Sequence, residues 1–174
     1  MKSYDNTNKI NYSADRISLD SNIIIDFYEN DLEKIISNVL TSKIYFSSLI
    51  LKEINRYDLS IFDYEKIFLT KDIELEYFNN LYSKFSNKLT ASDVHLVTIC
   101  KFNNLICGTN EKNIREICEK EKIKVFGTIS ILKEAVKTHL IDNYKARNIL
   151  EKMKKSTMYL SQALYDKVLK DFNP

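Results

Sequence analysis

Glycine and proline are almost missing from this 174-residue chain, which has two glycines, Gly108 and Gly127, and one proline, Pro174. A phosphate-cradling loop or a dinucleotide fingerprint needs several glycines within a few residues, because the backbone must turn tightly and approach the phosphate closely. Neither can be built here. Histidine is as scarce: His95 and His139 stand far apart and form no H-E-x-x-H pair, so a histidine-based zinc site has almost no ligands to draw on. The three cysteines, Cys100, Cys107 and Cys118, are odd in number and lack C-x-x-C spacing. They read as buried free thiols in a reducing compartment. No apolar run approaches the roughly 20 residues that span a bilayer, and the opening MKSYDNTNKINYSADR has no hydrophobic leader core. A soluble, cytoplasmic protein with no membrane partner is expected. The net charge of +2 excludes a binder that works by overall basicity.

What is present is an alternation of short apolar runs and helical periods. Residues 16–20 read as a strand ending on Asp20, and Ser21 and Asn22 then open a helix through Tyr28. A helix over 31–40, a strand over 43–47 and a helix over 49–57 carrying Glu53 follow. Residues 59–88 read as a charged helical stretch, with Ile73, Tyr77, Phe78, Leu81 and Phe85 on its core face. A helix opened by Thr90-Ala91-Ser92-Asp93 runs to Phe102, and strands are expected over 105–107 and 123–126, each followed by a helix. Strands alternating with helices predict a three-layer α/β/α fold around a central parallel sheet. Helices over 144–155 and 161–172 form a different tail. Residues 133–174 carry nine Lys or Arg against five Asp or Glu, a mildly basic extension. The division expected is a body over 1–140 and a C-terminal helical extension over 141–174, packed on or beside it. Lys152, Lys154 and Lys155 either solvate that extension or contact nucleic acid or a partner.

Four carboxylates take special places in this layout. Asp20 closes the first strand, Glu53 lies in the helix after the second, Asp93 opens a later helix, and Glu111 follows the strand at 105–107. Ligands of an open parallel sheet bind outside the carboxyl ends of its strands. Several carboxylates in one cleft cannot all stay ionised without a cation, and oxygen-only donors favour Mg²⁺ or Mn²⁺. Asp93 and Glu53 also have ordinary readings, as a helix cap and a solvated helix charge. Asp20 is harder to assign to a structural role, since it stands between an apolar strand and Ile23-Ile24-Ile25.

These residues resemble the PIN-domain nucleases. Leu19-Asp20-Ser21-Asn22-Ile23-Ile24-Ile25-Asp26 looks like their opening motif, Ser47-Ser48-Leu49-Ile50-Leu51-Lys52-Glu53-Ile54 their second acidic motif, and Thr90-Ala91-Ser92-Asp93-Val94-His95-Leu96 their third. Gly108-Thr109-Asn110-Glu111-Lys112-Asn113-Ile114-Arg115 is similar to the fourth, with Gly127-Thr128 after the last strand. The tail resembles the helical extension of a VapC-like subgroup. The resemblance implies a metal-dependent endoribonuclease that cleaves RNA phosphodiester bonds by metal-activated water. It also implies the toxin of a toxin-antitoxin pair, with tRNA or other structured RNA as substrate, a cognate antitoxin and a homodimer as partners. Asp20, Glu53, Asp93 and Glu111 then match the catalytic, metal-binding carboxylates for Mg²⁺ or Mn²⁺. Ser21, Asn22, Thr109 and Asn110 orient water or the ligands, whereas Asp26 caps or pairs within its own helix. Lys112 and Arg115 meet RNA phosphates or stay solvated. Glutamate stands at 111 where the family usually has aspartate, which leaves open a catalytically weakened PIN-like module that binds RNA or a partner protein. A haloacid-dehalogenase-type phosphohydrolase also starts on a strand-terminal aspartate, but it wants a second one where this chain has Asn22.

Overall fold

The computed structural model describes residues 10–158 and 160–172, so much of the N-terminal stretch read for a leader lies outside the described residues. Five short strands, β1 (Ile17–Leu19), β2 (Ile44–Ser47), β3 (Tyr64–Ile67), β4 (Ile106–Gly108) and β5 (Val125–Phe126), form one sheet in the order β3-β2-β1-β4-β5. Every neighbouring pair is parallel. The helices are α1 (Ser21–Tyr28), α2 (Glu33–Val39), α3 (Ser48–Glu53), α4 (Asp72–Phe85), α5 (Ala91–Asn103), α6 (Lys112–Lys120), α7 (Thr128–Lys137), α8 (Asn143–Ser156) and α9 (Gln162–Asp171).

Successive strand residues point to opposite faces, and here each face has its own apolar layer. Ile17, Leu19, Ile44, Phe46, Ile106 and Phe126 face a core completed by α1, α2, α7, α8 and α9, through residues such as Phe27, Ile36, Leu132, Leu150 and Val168. Tyr45, Cys107 and Val125 face the other core, filled by Val97 of α5, Ile114 of α6 and Phe78 of α4. The expected α/β/α sandwich is therefore the observed fold. Central strands covered on both sides need near-continuous apolar residues, which is why β1, β2 and β4 are readable from the chain. The last two helices are not peripheral to the first core, because Ala146, Leu150, Met153, Val168 and Phe172 are buried in the same cluster as Ile17 and Leu19.

The helical reading of 59–88 is corrected. β3 occupies Tyr64–Ile67, pairing with β2 from Ile44 opposite Tyr64 to Ser47 opposite Ile67, and α4 starts only at Asp72. An edge strand pairs on one side only, and Tyr64, Glu65 and Lys66 are exposed, so no apolar alternation marks it. Phe78, Leu81 and Phe85 do pack on the second core, whereas Tyr77 meets the Phe102 ring edge-on, and Ile73 is 60% exposed and lies off that face. The helix after β2 is also shorter than expected, ending at Glu53.

Gly108 lets three elements meet closely. A Cβ at this position would stand 2.5 Å from Leu19 Cδ2 and 2.8 Å from Phe126 Cζ. Gly108→Ala should lower the unfolding free energy by about 1–3 kcal/mol through overpacking, read from the urea midpoint. An unchanged midpoint would show that Leu19 and Phe126 can yield.

Candidate functional site

The chain winds from β1 to β2 and β3 on one side, then returns to place β4 and β5 on the other. The winding reverses between β1 and β4, and a crevice opens outside the carboxyl ends of strands at such a reversal. Register sets what stands there. Leu19 lies opposite Gly108, and the Asp20 N–H donates to the Gly108 carbonyl at 2.8 Å. The residues just past these ends, Asp20 with Ser21 and Asn22, and Thr109 with Glu111, are therefore brought together across almost ninety residues of chain.

Asp20 is buried, with 1% of its surface exposed. Thr109 Oγ1 donates to its Oδ2 at 2.9 Å, and Ser21 Oγ approaches its Oδ1 at 3.4 Å. The same Thr109 hydroxyl accepts the Glu111 N–H at 3.1 Å, and Asn22 Nδ2 reaches Glu111 Oε1 at 3.4 Å. Asp93 enters from α5. It is the third residue of that helix rather than its cap: Thr90 Oγ1 accepts the Asp93 N–H, and Asp93 Oδ2 accepts the Thr90 N–H at 2.7 Å. Burial pushes the Asp20 carboxyl up to about 7, the Thr109 hydrogen bond opposes this, and the charges of Asp93 and Glu111 add to it. Asp93 and Glu111 thus both act electrostatically on Asp20, while Glu53 stands exposed in the last turn of α3.

Among the described residues, no three His, Cys, Asp or Glu side chains stand close enough to hold a metal ion as they are placed. The donor chemistry does fit one: oxygen donors only, with mutual repulsion that a hard divalent cation relieves. Three helix N-termini, those of α1, α5 and α6, also open toward this edge, and their dipoles favour negative charge.

The basic residues named from the sequence stand at the surface, each beside a neighbour. Lys112 is exposed, with Glu116 at 3.8 Å, and Arg115 lies beside Gly127. Lys152 donates to the Asn30 carbonyl at 2.9 Å, Lys154 bonds Gln162 and lies over the Tyr165 ring, and Lys155 pairs with Glu151 at 2.7 Å.

Two buried polar groups escaped the sequence reading. Asp26, expected to cap or pair within α1, instead reaches out of it: Oδ2 accepts from Asn110 Nδ2 at 2.8 Å and from Thr128 Oγ1 at 3.0 Å. Asn110, expected to orient water or ligands, is turned away to this network, and its Oδ1 accepts the Thr128 N–H at 3.0 Å. Gly127 makes room for it, since a Cβ there would stand 2.6 Å from Asn110 Oδ1. The second group is His95. Ser47 Oγ accepts the Leu49 N–H and shares a hydrogen bond with His95 Nδ1, 2.8 Å away. Burial lowers the basicity of His95, keeping the ring a neutral brace between α5 and the start of α3.

A family model described as a PIN domain matches residues 16–174. The chain belongs to the PIN-domain family. No curated protein matches it. The family match begins at the residue before β1 and includes α8 and α9. PIN domains are generally nucleases, hydrolases of nucleic acid. Among the described residues, no helix is long and apolar enough to cross a membrane.

The Asp20 environment has a consequence for stability. A carboxyl with a raised folded-state pKa binds its proton more tightly in the folded protein, so stability falls as pH rises from the ordinary carboxylate range through about 7. Asp20→Asn removes this titration and keeps an acceptor for Thr109. It should be more stable than wild type at pH 8, by at most about 4 kcal/mol, with the gain fading toward pH 4. Denaturant melts across that pH range check it; a gain that does not change with pH would refute the charge origin.

Proposed function

We propose that this PIN domain is a Mg²⁺- or Mn²⁺-dependent endoribonuclease. The observation that carries the reading is Asp20: a buried carboxylate at the winding reversal, pressed by Asp93 and Glu111 and bonded by neutral donors from Thr109 and Ser21. Such a group is costly unless a cation occupies the cleft. Asp20, Asp93 and Glu111 would hold the ion, with Glu53 as a further carboxylate from α3. When bound, the ion would supply water activation near neutral pH and offset charge on the phosphoryl oxygens.

The chain's own residues do the rest. Thr109 fixes one Asp20 oxygen and, through the Glu111 N–H, ties both carboxylates to one loop. Thr90 holds one oxygen of Asp93 and leaves the other open. Asn22 steadies the longer Glu111 side chain, which lets glutamate serve where a shorter aspartate is usual. The helix N-termini at this edge favour the approach of phosphate. No histidine or serine nucleophile is required, in agreement with a chain whose one site-proximal histidine is buried as a brace.

The toxin role and the VapC-like subgroup belong to the same proposal, supported by the family fold and the order of the acidic motifs. A structured RNA such as tRNA would be the substrate, and a cognate antitoxin and a second copy the protein partners.

Purified protein incubated with total RNA and Mn²⁺ should cleave it, and EDTA should stop the cleavage. Asp20→Ala and Asp93→Ala should each lower the rate at least about 100-fold, a loss of roughly 2.7 kcal/mol of transition-state stabilisation. RNA that is bound but uncut with either metal would favour the binding-module reading. Growth arrest on expression of wild type, absent with Asp20→Ala, tests the toxin role.

A further inference from the structure

The Asp26 network lies outside the acidic site but touches the loop that builds it. Asp26 is 3% exposed, Asn30 1% and Thr128 fully buried. No cation is among the hydrogen-bond partners the structure gives the Asp26 carboxyl, which are Asn110 and Thr128, with Thr157 nearby. A carboxylate only accepts hydrogen bonds. It therefore dictates which end of the Asn110 amide faces it, and the Asn110 oxygen is left for the Thr128 N–H. With both ends of Asn110 committed, its neighbours Thr109 and Glu111 have one position, the one in which Thr109 bonds Asp20. The neutral alternative, an asparagine at 26, would accept or donate and would leave that choice open.

The network also reaches the C-terminal part of the chain. Thr157, just past α8, lies near the Asp26 carboxyl, and Asn30 bridges the two segments. Asn30 Nδ2 donates to the Asp26 carbonyl at 2.8 Å and to Thr157 Oγ1 at 3.3 Å, while its Oδ1 accepts from Ser156 Oγ at 3.0 Å. Lys152 closes the latch on the Asn30 carbonyl.

We propose that Asp26 is a positioning residue for the acidic site, and that through it the end of α8 helps set where Thr109 and Glu111 stand. This rests on the metal-dependent nuclease reading above. The arrangement makes the C-terminal helices part of the machinery that shapes the metal site, with no residue of theirs needing to touch metal or RNA.

The test is Mn²⁺ affinity of the full chain by calorimetry, without RNA, with a denaturant melt of each variant alongside. Asp26→Asn should weaken Mn²⁺ binding about 10- to 100-fold, the usual cost of losing a residue that orients a metal ligand. Thr157→Val, an exposed and nearly isosteric change, should weaken it by less but in the same direction. The exchange Asp26→Asn with Asn110→Asp rebuilds the hydrogen bond with donor and acceptor reversed and should restore affinity to within about threefold of wild type. That rescue is one a general loss of stability would not produce. If wild type binds Mn²⁺ and both Asp26→Asn and Thr157→Val bind it equally well, the positioning role is overturned. It is overturned too if the exchange folds as stably as wild type but stays weak. Should Asp26→Asn not fold, Thr157→Val and the exchange decide. Wild type that binds no Mn²⁺ overturns the nuclease reading itself, and this proposal with it.

Discussion

The pairing of β1 with β4, Leu19 opposite Gly108, is the constraint on which the site depends. Both strands are three residues long, so a slip of one position would exchange their core and opposite faces. Register is held by packing: Leu19 and Phe126 close on the bare backbone of Gly108. Whatever follows Leu19 and Gly108 must then meet at the sheet edge. Asp20 and Thr109 follow them, and the hydrogen bond between these two side chains joins the fold to the chemistry.

That junction is made against an electrostatic cost. Asp20 is desolvated and faces two carboxylates, so the surrounding structure must hold it in place. The means are short-range and neutral: hydroxyls from Thr109 and Ser21, and the Thr90 cap on Asp93. Behind them stand two buried braces, the Ser47–His95 pair on one side and the Asp26–Asn110–Thr128 network on the other. Polar groups inside a fold are worth their desolvation only when their hydrogen bonds are made, and here each is made to a segment that ends at the sheet edge.

The central strands, and Asp20 and Glu111 at their ends, were legible in the chain for a common reason. A strand buried on both faces is a mostly apolar run, and its end is marked where a charged or hydroxyl residue follows it, Asp20 after Leu19 or Thr109 after Gly108. Asp93 was visible because the capping sequence around Thr90 is local. β3 was not legible, since an edge strand has little burial to pattern it, and α4 hid it in a longer charged stretch. The pairing of Asp26 with Asn110 was not legible because it spans 84 positions and leaves no periodic trace. On its own helix Asp26 looks like an ordinary polar residue. Glu53 was legible as a motif residue, but the structure leaves it exposed, apart from the repulsion that unites the other three.

The exposed edge of β3 has a consequence for association. A second copy pairing with this edge about a two-fold axis would lay its own β3 antiparallel to it. Registers centred on the middle of the strand then set Glu65 against Glu65 or Lys66 against Lys66, and like charges directly opposite are destabilising. Lys66 also lies over the Phe68 ring, covering part of the apolar surface at the strand's end. The edge is thus guarded against self-propagating strand pairing by its own alternating charge.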